Sequence, residues 1–192
     1  IGKGHFVREI DALGGLMGLA IDATAIQFRM LNVRKGPAMR GPRAQADKRA
    51  YQEEVRRLIE EMTNLELRQE TVEEILCDGG RLTGLRTASG RVYSAPCVVL
   101  ACGTFMRGLL HCGNKRMPGG RIGEPSADRI SESLLRLGFV LKRFKTGTPP
   151  RINARTIDYG KLERQPGDPV AVPFSFMNDS ISIDPISCWM TY

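Results

Sequence analysis

Three stretches of this sequence hold residue types that could meet an anion or a dinucleotide. The loop Arg34-Lys35-Gly36-Pro37-Ala38-Met39-Arg40-Gly41-Pro42-Arg43 carries four basic residues between Gly and Pro. Its prolines stiffen the backbone and lower the entropy lost on ordering, and a guanidinium fork matches phosphate geometry. The competing reading is a solvated loop whose charges are paired locally. The apolar run Cys97-Val98-Val99-Leu100-Ala101-Cys102 ends in Gly103-Thr104. A residue without Cβ at the end of a buried strand lets the backbone approach a dinucleotide, which in open α/β sheets binds beyond the carboxyl ends of strands. The competing reading is an ordinary buried strand with a glycine turn. Lys145-Thr146-Gly147-Thr148-Pro149-Pro150-Arg151-Ile152 lacks the order of a phosphate loop and supports anion contact weakly.

Other chemistry is thin. The phosphate-binding pattern G-x-G-x-x-G does not occur after a strand. His5 and His111 are the only histidines, so no His/Cys cluster has zinc spacing and no metal site is expected. The five cysteines, Cys77, Cys97, Cys102, Cys112 and Cys188, form no C-x-x-C pair. Their odd number reads as reduced thiols in a cytosolic protein. No Ser/His/Asp constellation follows from spacing.

Composition is that of a globular chain. Of 192 residues, 42% are hydrophobic and 26% charged, enough for one domain or one domain with an appendage. Lys and Arg number 28 against 21 Asp and Glu, a net charge of +7 that favours an anionic partner. No apolar run reaches membrane-spanning length, so no membrane partner is expected. The chain opens on Ile1 without a signal-like core, which reads as a start inside a longer protein.

The elements that must position these residues follow from periodicity. Residues 4–23 read as a helix, weakened at Gly14-Gly15. Ile26 to Leu31 alternates as a half-buried strand, 32–43 is a loop, and 44–62 is a charged amphipathic helix. Strands at 65–68, 70–76, 82–87 and 91–93 surround the turns Asp78-Gly79-Gly80 and Ala88-Ser89-Gly90, making an antiparallel meander. The run Cys97–Thr104 follows as a fully buried strand. The chain is then loop-rich to Pro125. Ser126-Ala127-Asp128 caps a helix to about Leu137, Gly138 ends it, and Phe139 to Phe144 forms a strand. A change of module is expected near Lys145.

The ordered blocks Ile1-Gly2-Lys3-Gly4-His5, Asp11-Ala12-Leu13-Gly14-Gly15, Lys35-Gly36-Pro37-Ala38, Arg43-Ala44-Gln45-Ala46-Asp47, Gly103-Thr104-Phe105, Gly119-Gly120-Arg121 and Lys145 to Ile152 resemble the GidA/MnmG family. Asp158-Tyr159, Phe174-Ser175-Phe176 and Cys188 continue the match across the whole chain. The resemblance implies an α/β fold of the FAD/NAD(P)-binding, glutathione-reductase type. Its Rossmann-like sheet with a β-meander is incomplete here, over 1–144, and part of an insertion module follows over 145–192.

It further implies FAD-dependent tRNA modification. With an MnmE-type GTPase, a homodimeric enzyme using FAD, NADH and methylene-tetrahydrofolate builds the 5-carboxymethylaminomethyl group on wobble uridine. The compartment would be bacterial cytoplasm, or mitochondria in a eukaryote. Carried over by motif, the FAD contacts fall on Val72, on Ala101, Cys102, Gly103 and Thr104, and on Ser126 and Ala127. Ala127 stands where the family often has Ser, so a backbone contact is expected there. Lys35, Arg40, Arg43, Arg121, Arg151 and Arg155 are the candidate tRNA or substrate contacts. No catalytic residue is assigned, because the family's two important cysteines fall just before Ile1 and beyond Tyr192; this stretch alone would be inactive, and the GTPase-binding region and the phosphate loop also lie outside it. The alternatives are a generic FAD/NAD oxidoreductase acting on a small molecule and a cofactor-free basic RNA-binding module.

Overall fold

The helical pattern of residues 4–23 folds as two helices, α1 (Lys3–Ala12) and α2 (Leu16–Thr24). The break falls at Gly14, whose φ of 88° only glycine adopts freely. The structure is a computed structural model that describes residues 3–149 and 151–191. Ile1-Gly2 and Pro150 of the blocks quoted above, and Tyr192, lie outside the described residues.

The alternation from Ile26 becomes β1 (Ala25–Leu31), which pairs antiparallel with β2 (Gly41–Ala46). The second strand was expected as loop. Gly41 and Pro42 read as breakers, yet among the described residues β2 pairs with β1 alone, and a sheet edge tolerates proline. Between the strands lie two 3-10 turns, Val33–Lys35 and Pro37–Met39. The amphipathic helix is α3 (Lys48–Glu60), started by Asp47, whose Oδ1 accepts from the amides of Arg49 and Ala50 at 2.8 and 3.0 Å. No strand forms over 65–68.

The meander forms as β3 (Val72–Asp78), β4 (Arg81–Thr87) and β5 (Val92–Ser94), antiparallel in sequence order. The segment expected as a buried strand, Cys97–Thr104, is not one. Its residues make no ladder, and Val99 is 91% exposed. Its apolar side chains predict burial, but no strand among the described residues pairs with it. The same holds for Phe139–Phe144, where Val140 and Phe144 are almost fully exposed. In the stretch read as loop, β6 (Leu109–Cys112) and β7 (Lys115–Pro118) make a hairpin around Gly113-Asn114. α4 (Arg129–Arg136) follows the expected position, but Asp128 makes no side-chain cap bond to it. Gly138, φ 88°, closes it. Late in the chain β8 (Glu163–Gln165) pairs antiparallel with β9 (Cys188–Met190).

Contacts divide the chain into two compact units, Ile1–Leu67 with Pro150–Tyr192, and Arg68–Pro149. Within the first unit, residues 1–67 pack with the C-terminal stretch. In the first unit Ala25, Phe28 and Phe174 form the core, joined by Val7, Ile21 and Ile183. In the second, α4 lays Ile130 and Leu134 inward and its Ser133 Oγ accepts from the amide of Ile75 on β3 at 2.9 Å. The architecture is therefore mixed α/β with small antiparallel sheets. Among the described residues, no helix is long and apolar enough to cross a membrane.

Candidate functional site

The second unit contains a cleft of about 370 Å³ between the start of the meander, the 99–106 stretch and the start of α4. Its walls are mostly apolar. They include Val72, Ala101, Cys102 and Ala127, four of the positions assigned to the cofactor, together with Phe105 and Ile130. Residues from three separate stretches of sequence thus converge on one concavity.

The remaining cofactor positions, Gly103, Thr104 and Ser126, adjoin these walls in sequence. Gly103 takes a left-handed turn at φ 56°, with open space where a Cβ would stand. Thr104 Oγ1 donates to the carbonyl of Gly120 at 2.7 Å. A Cβ on Gly120 would run into the Phe105 ring, so glycine there lets Phe105 close in. Ser126 Oγ bonds the Phe105 carbonyl and Asp128, and the Ala127 amide donates to the Phe105 carbonyl at 2.8 Å. The Ala127 carbonyl accepts from the Arg107 amide, so its backbone is already used in holding this turn, with one carbonyl lone pair to spare.

Glu70 stands at the cleft with a carboxylate that accepts from Tyr93 at 2.6 Å, Arg91 at 2.9 Å and Ser89 at 3.2 Å. The hydrogen bond from Tyr93, then that from Thr87, with the Arg91 charge and the Ser89 bond behind them, holds its carboxyl below the ordinary glutamate range. Sequence reasoning missed Glu70, Met106 and Ile130 as wall residues. Nothing in their spacing marks them; only the folding of α4 onto β3 brings Ile130 there.

An apolar concavity of this size fits a flat heteroaromatic ring such as adenine, not a whole dinucleotide. The lining residues fit that part of FAD.

The candidate RNA contacts differ in state. In the first unit Lys35, Arg40, Arg151 and Arg155 are exposed. Arg43 is half-buried, and its Nη2 donates to Gln27 Oε1 at 3.1 Å and Gln165 Oε1 at 3.2 Å. Gln27, 1% exposed, also donates to the carbonyls of Gln165 and Ile186 and accepts from Cys188 Sγ. Arg43 thus ties β1 and β2 to the β8–β9 ribbon. In the second unit Arg121 pairs with Glu124 at 3.1 Å and lies over the Phe105 ring.

Two blocks far apart in sequence meet in the first unit. Asp22, 5% exposed, accepts from the amides of Phe174 and Ser175 at 2.8 and 2.9 Å and from Asn178. Asp11 accepts from the amide of Phe176 at 2.7 Å. A Cβ on Gly18 would strike the Asp11 carboxylate.

This mixed α/β arrangement is also that of a solved structure. The Aquifex aeolicus GidA structure superposes with a TM-score of 0.92 at 46% identity, covering 98% of this chain and 33% of that one. The family model for glucose inhibited division protein A matches residues 1–192, and the chain belongs to that family. Curated relatives named tRNA uridine 5-carboxymethylaminomethyl modification enzyme MnmG include those of Rhodopirellula baltica, 54% identical, and Salinibacter ruber, 53% identical. Each alignment covers 100% of this chain, but only 31% and 29% of those relatives' length.

Proposed function

We propose that the full-length protein carrying this chain is an FAD-dependent enzyme that modifies tRNA at the wobble uridine, forming the 5-carboxymethylaminomethyl group together with an MnmE-type GTPase. The observation that carries this is the convergence of Val72, Ala101, Cys102 and Ala127 on one apolar cleft in a member of the GidA family. FAD would supply the redox chemistry. The residues here would hold its adenosine end: Val72 through its backbone and Ala101 at the strand end would line its site, beside the turn from Gly103 to Phe105 that Thr104, Ser126 and Ala127 pin.

The apolar stretch 97–101 supports the finer fold assignment. An extended, exposed run of Val and Leu is unstable in water and fits a strand of a parallel sheet whose neighbours come from other parts of the full-length chain. On this reading the glutathione-reductase-type domain is completed by the segment that bears the phosphate loop. NADH and methylene-tetrahydrofolate as cosubstrates, a homodimer, and a cytoplasmic or mitochondrial setting belong to the same proposal. The exposed cations Lys35, Arg40, Arg151 and Arg155 suit the tRNA backbone.

The test is the visible spectrum of the purified full-length protein, with release and identification of the chromophore, alongside tRNA binding. Bound FAD with tRNA affinity supports the proposal. Flavin without tRNA affinity favours a small-molecule oxidoreductase, and tRNA affinity without a chromophore favours a plain RNA-binding module; either result overturns it.

A further inference from the structure

We propose that Trp189 and Tyr159 form a stacking platform for one unpaired nucleobase of the RNA, with Arg164 beside it to take the adjoining phosphate. This rests on the tRNA reading above and adds a subsite to it. Tyr159 lies in a 3-10 turn, Tyr159–Lys161, just before β8. Its ring centroid is 5.0 Å from that of Trp189, with the planes tilted by 58°. Arg164 and Trp189 are direct cross-strand partners in the β8–β9 ladder, so their side chains leave the ribbon on the same face.

The two faces of that ribbon have opposite characters. Gln165 and Cys188 point inward, where Arg43 and Gln27 bond them. The outer face carries the aromatic pair, and both residues remain partly exposed, Tyr159 at 40% and Trp189 at 38%. Large aromatic rings dominate cores because their burial is worth so much, so a pair left in water beside a cation calls for a partner with a π-face. The tilt means that Tyr159 presses on the indole without covering both of its faces. Arg164 makes its hydrogen bond through Nε to Ser187 Oγ at 2.8 Å, which fixes the stem and leaves the fork. Lys161, paired at the surface with Asp158, adds a second cation near Tyr159.

Aromatic rings interleaved with cations are the chemistry of single-stranded nucleic acid binding, in which bases stack and phosphates meet charge. A duplex hides its base faces and would gain nothing here. The inner network holds the ribbon in place before binding, so little ordering entropy is lost on capture.

The test uses the full-length protein and a stem-loop RNA of the anticodon arm, with 2-aminopurine placed at one unpaired position at a time. Wild-type protein should quench the probe strongly at one loop position. Trp189→Leu, which keeps apolar bulk without a stacking ring, should abolish that quench and weaken binding on the order of tenfold. Trp189→Phe should restore most of both, and Arg164→Gln should weaken binding to all loop sequences alike. Affinity for a blunt duplex of the same length should not change in Trp189→Leu. Should Trp189→Leu fail to fold, Tyr159→Leu carries the same readout. The same quench and affinity in the Leu variants as in wild type, or equal quenching at every position, overturns the platform while leaving the tRNA reading intact. Wild-type protein with no affinity for the stem-loop overturns both.

Discussion

Glu70 illustrates how a single side chain couples the meander to the cleft. Its carboxylate gathers bonds from Tyr93, Arg91 and Ser89, and the bond from Tyr93 leads in holding its pKa down. A carboxyl whose pKa is lower folded than unfolded adds stability above its unfolded value, about 4.3 for glutamate, and loses it as pH falls through the folded value. The thermal midpoint of the full-length protein should therefore exceed that of Glu70→Gln at neutral pH, and the gap should close on acidification below that range. Midpoints measured against pH for both proteins check this; a gap that persists unchanged into strong acid contradicts it.

Asp22 poses a sharper case. It satisfies two buried amides and one side-chain amide of the 174–178 stretch. Asp22→Ala leaves those donors unpaired, at a cost of about 1–3 kcal/mol for each buried group. Chemical denaturation of the full-length protein should show a loss of at least about 2 kcal/mol, whereas Asp22→Asn, which can keep one acceptor, should lose less. The resemblance picked out the blocks around Asp11 and Phe174 without a physical reason for either. The bond that joins them is the one Asp11 accepts from the Phe176 amide, and no local pattern in the sequence expresses a bond between residues so distant.

At the scale of elements, the meander was legible because Asp78-Gly79-Gly80 and Ala88-Ser89-Gly90 are turns that the chain itself completes. Local signals also gave β1, α3 and the glycine break between α1 and α2. The hidden elements depend on partners. β2 looks like loop by composition and is a strand only because β1 lies beside it. Cys97–Ala101 looks like a buried strand by composition and is none here, because no described strand lies beside it. That contrast makes a prediction. If the full-length chain supplies the neighbours, the amides of Val98 to Ala101 should exchange slowly in intact protein, at rates like those of β3 and β4. Hydrogen exchange resolved to peptides reads this directly, and fast exchange throughout 97–101 would remove the parallel-sheet assignment. The candidate site follows the same division. Motif membership names Val72, Ala101, Cys102 and Ala127, which line one cleft, but the wall contributed by Ile130 depends on α4 packing against β3, which no spacing rule contains.

For the molecule as a whole, a net charge of +7 says that a polyanion is favoured but not which cations meet it. The structure separates two arginines that are close in sequence and equal in charge. Arg40 is exposed, whereas Arg43 is half-buried against Gln27 and Gln165 and has a buried Nε with no partner. An exposed cation that neutralises one phosphate contributes about 0.7–0.9 to the slope of log affinity against log salt. Arg40→Gln should therefore weaken tRNA binding at low salt, flatten that slope by about one contact, and leave the thermal midpoint where it was. Arg43→Gln should do the reverse. It removes the tie between the β1–β2 pair and the β8–β9 ribbon, so the midpoint should fall, while the salt slope of the protein that remains folded should match wild type. Filter-binding or fluorescence titrations over a salt series, set beside melting curves, distinguish the two. Equal changes in slope for both variants would mean that Arg43 reaches RNA despite its internal bonds, and an unchanged slope for Arg40→Gln would take that residue off the RNA-facing surface.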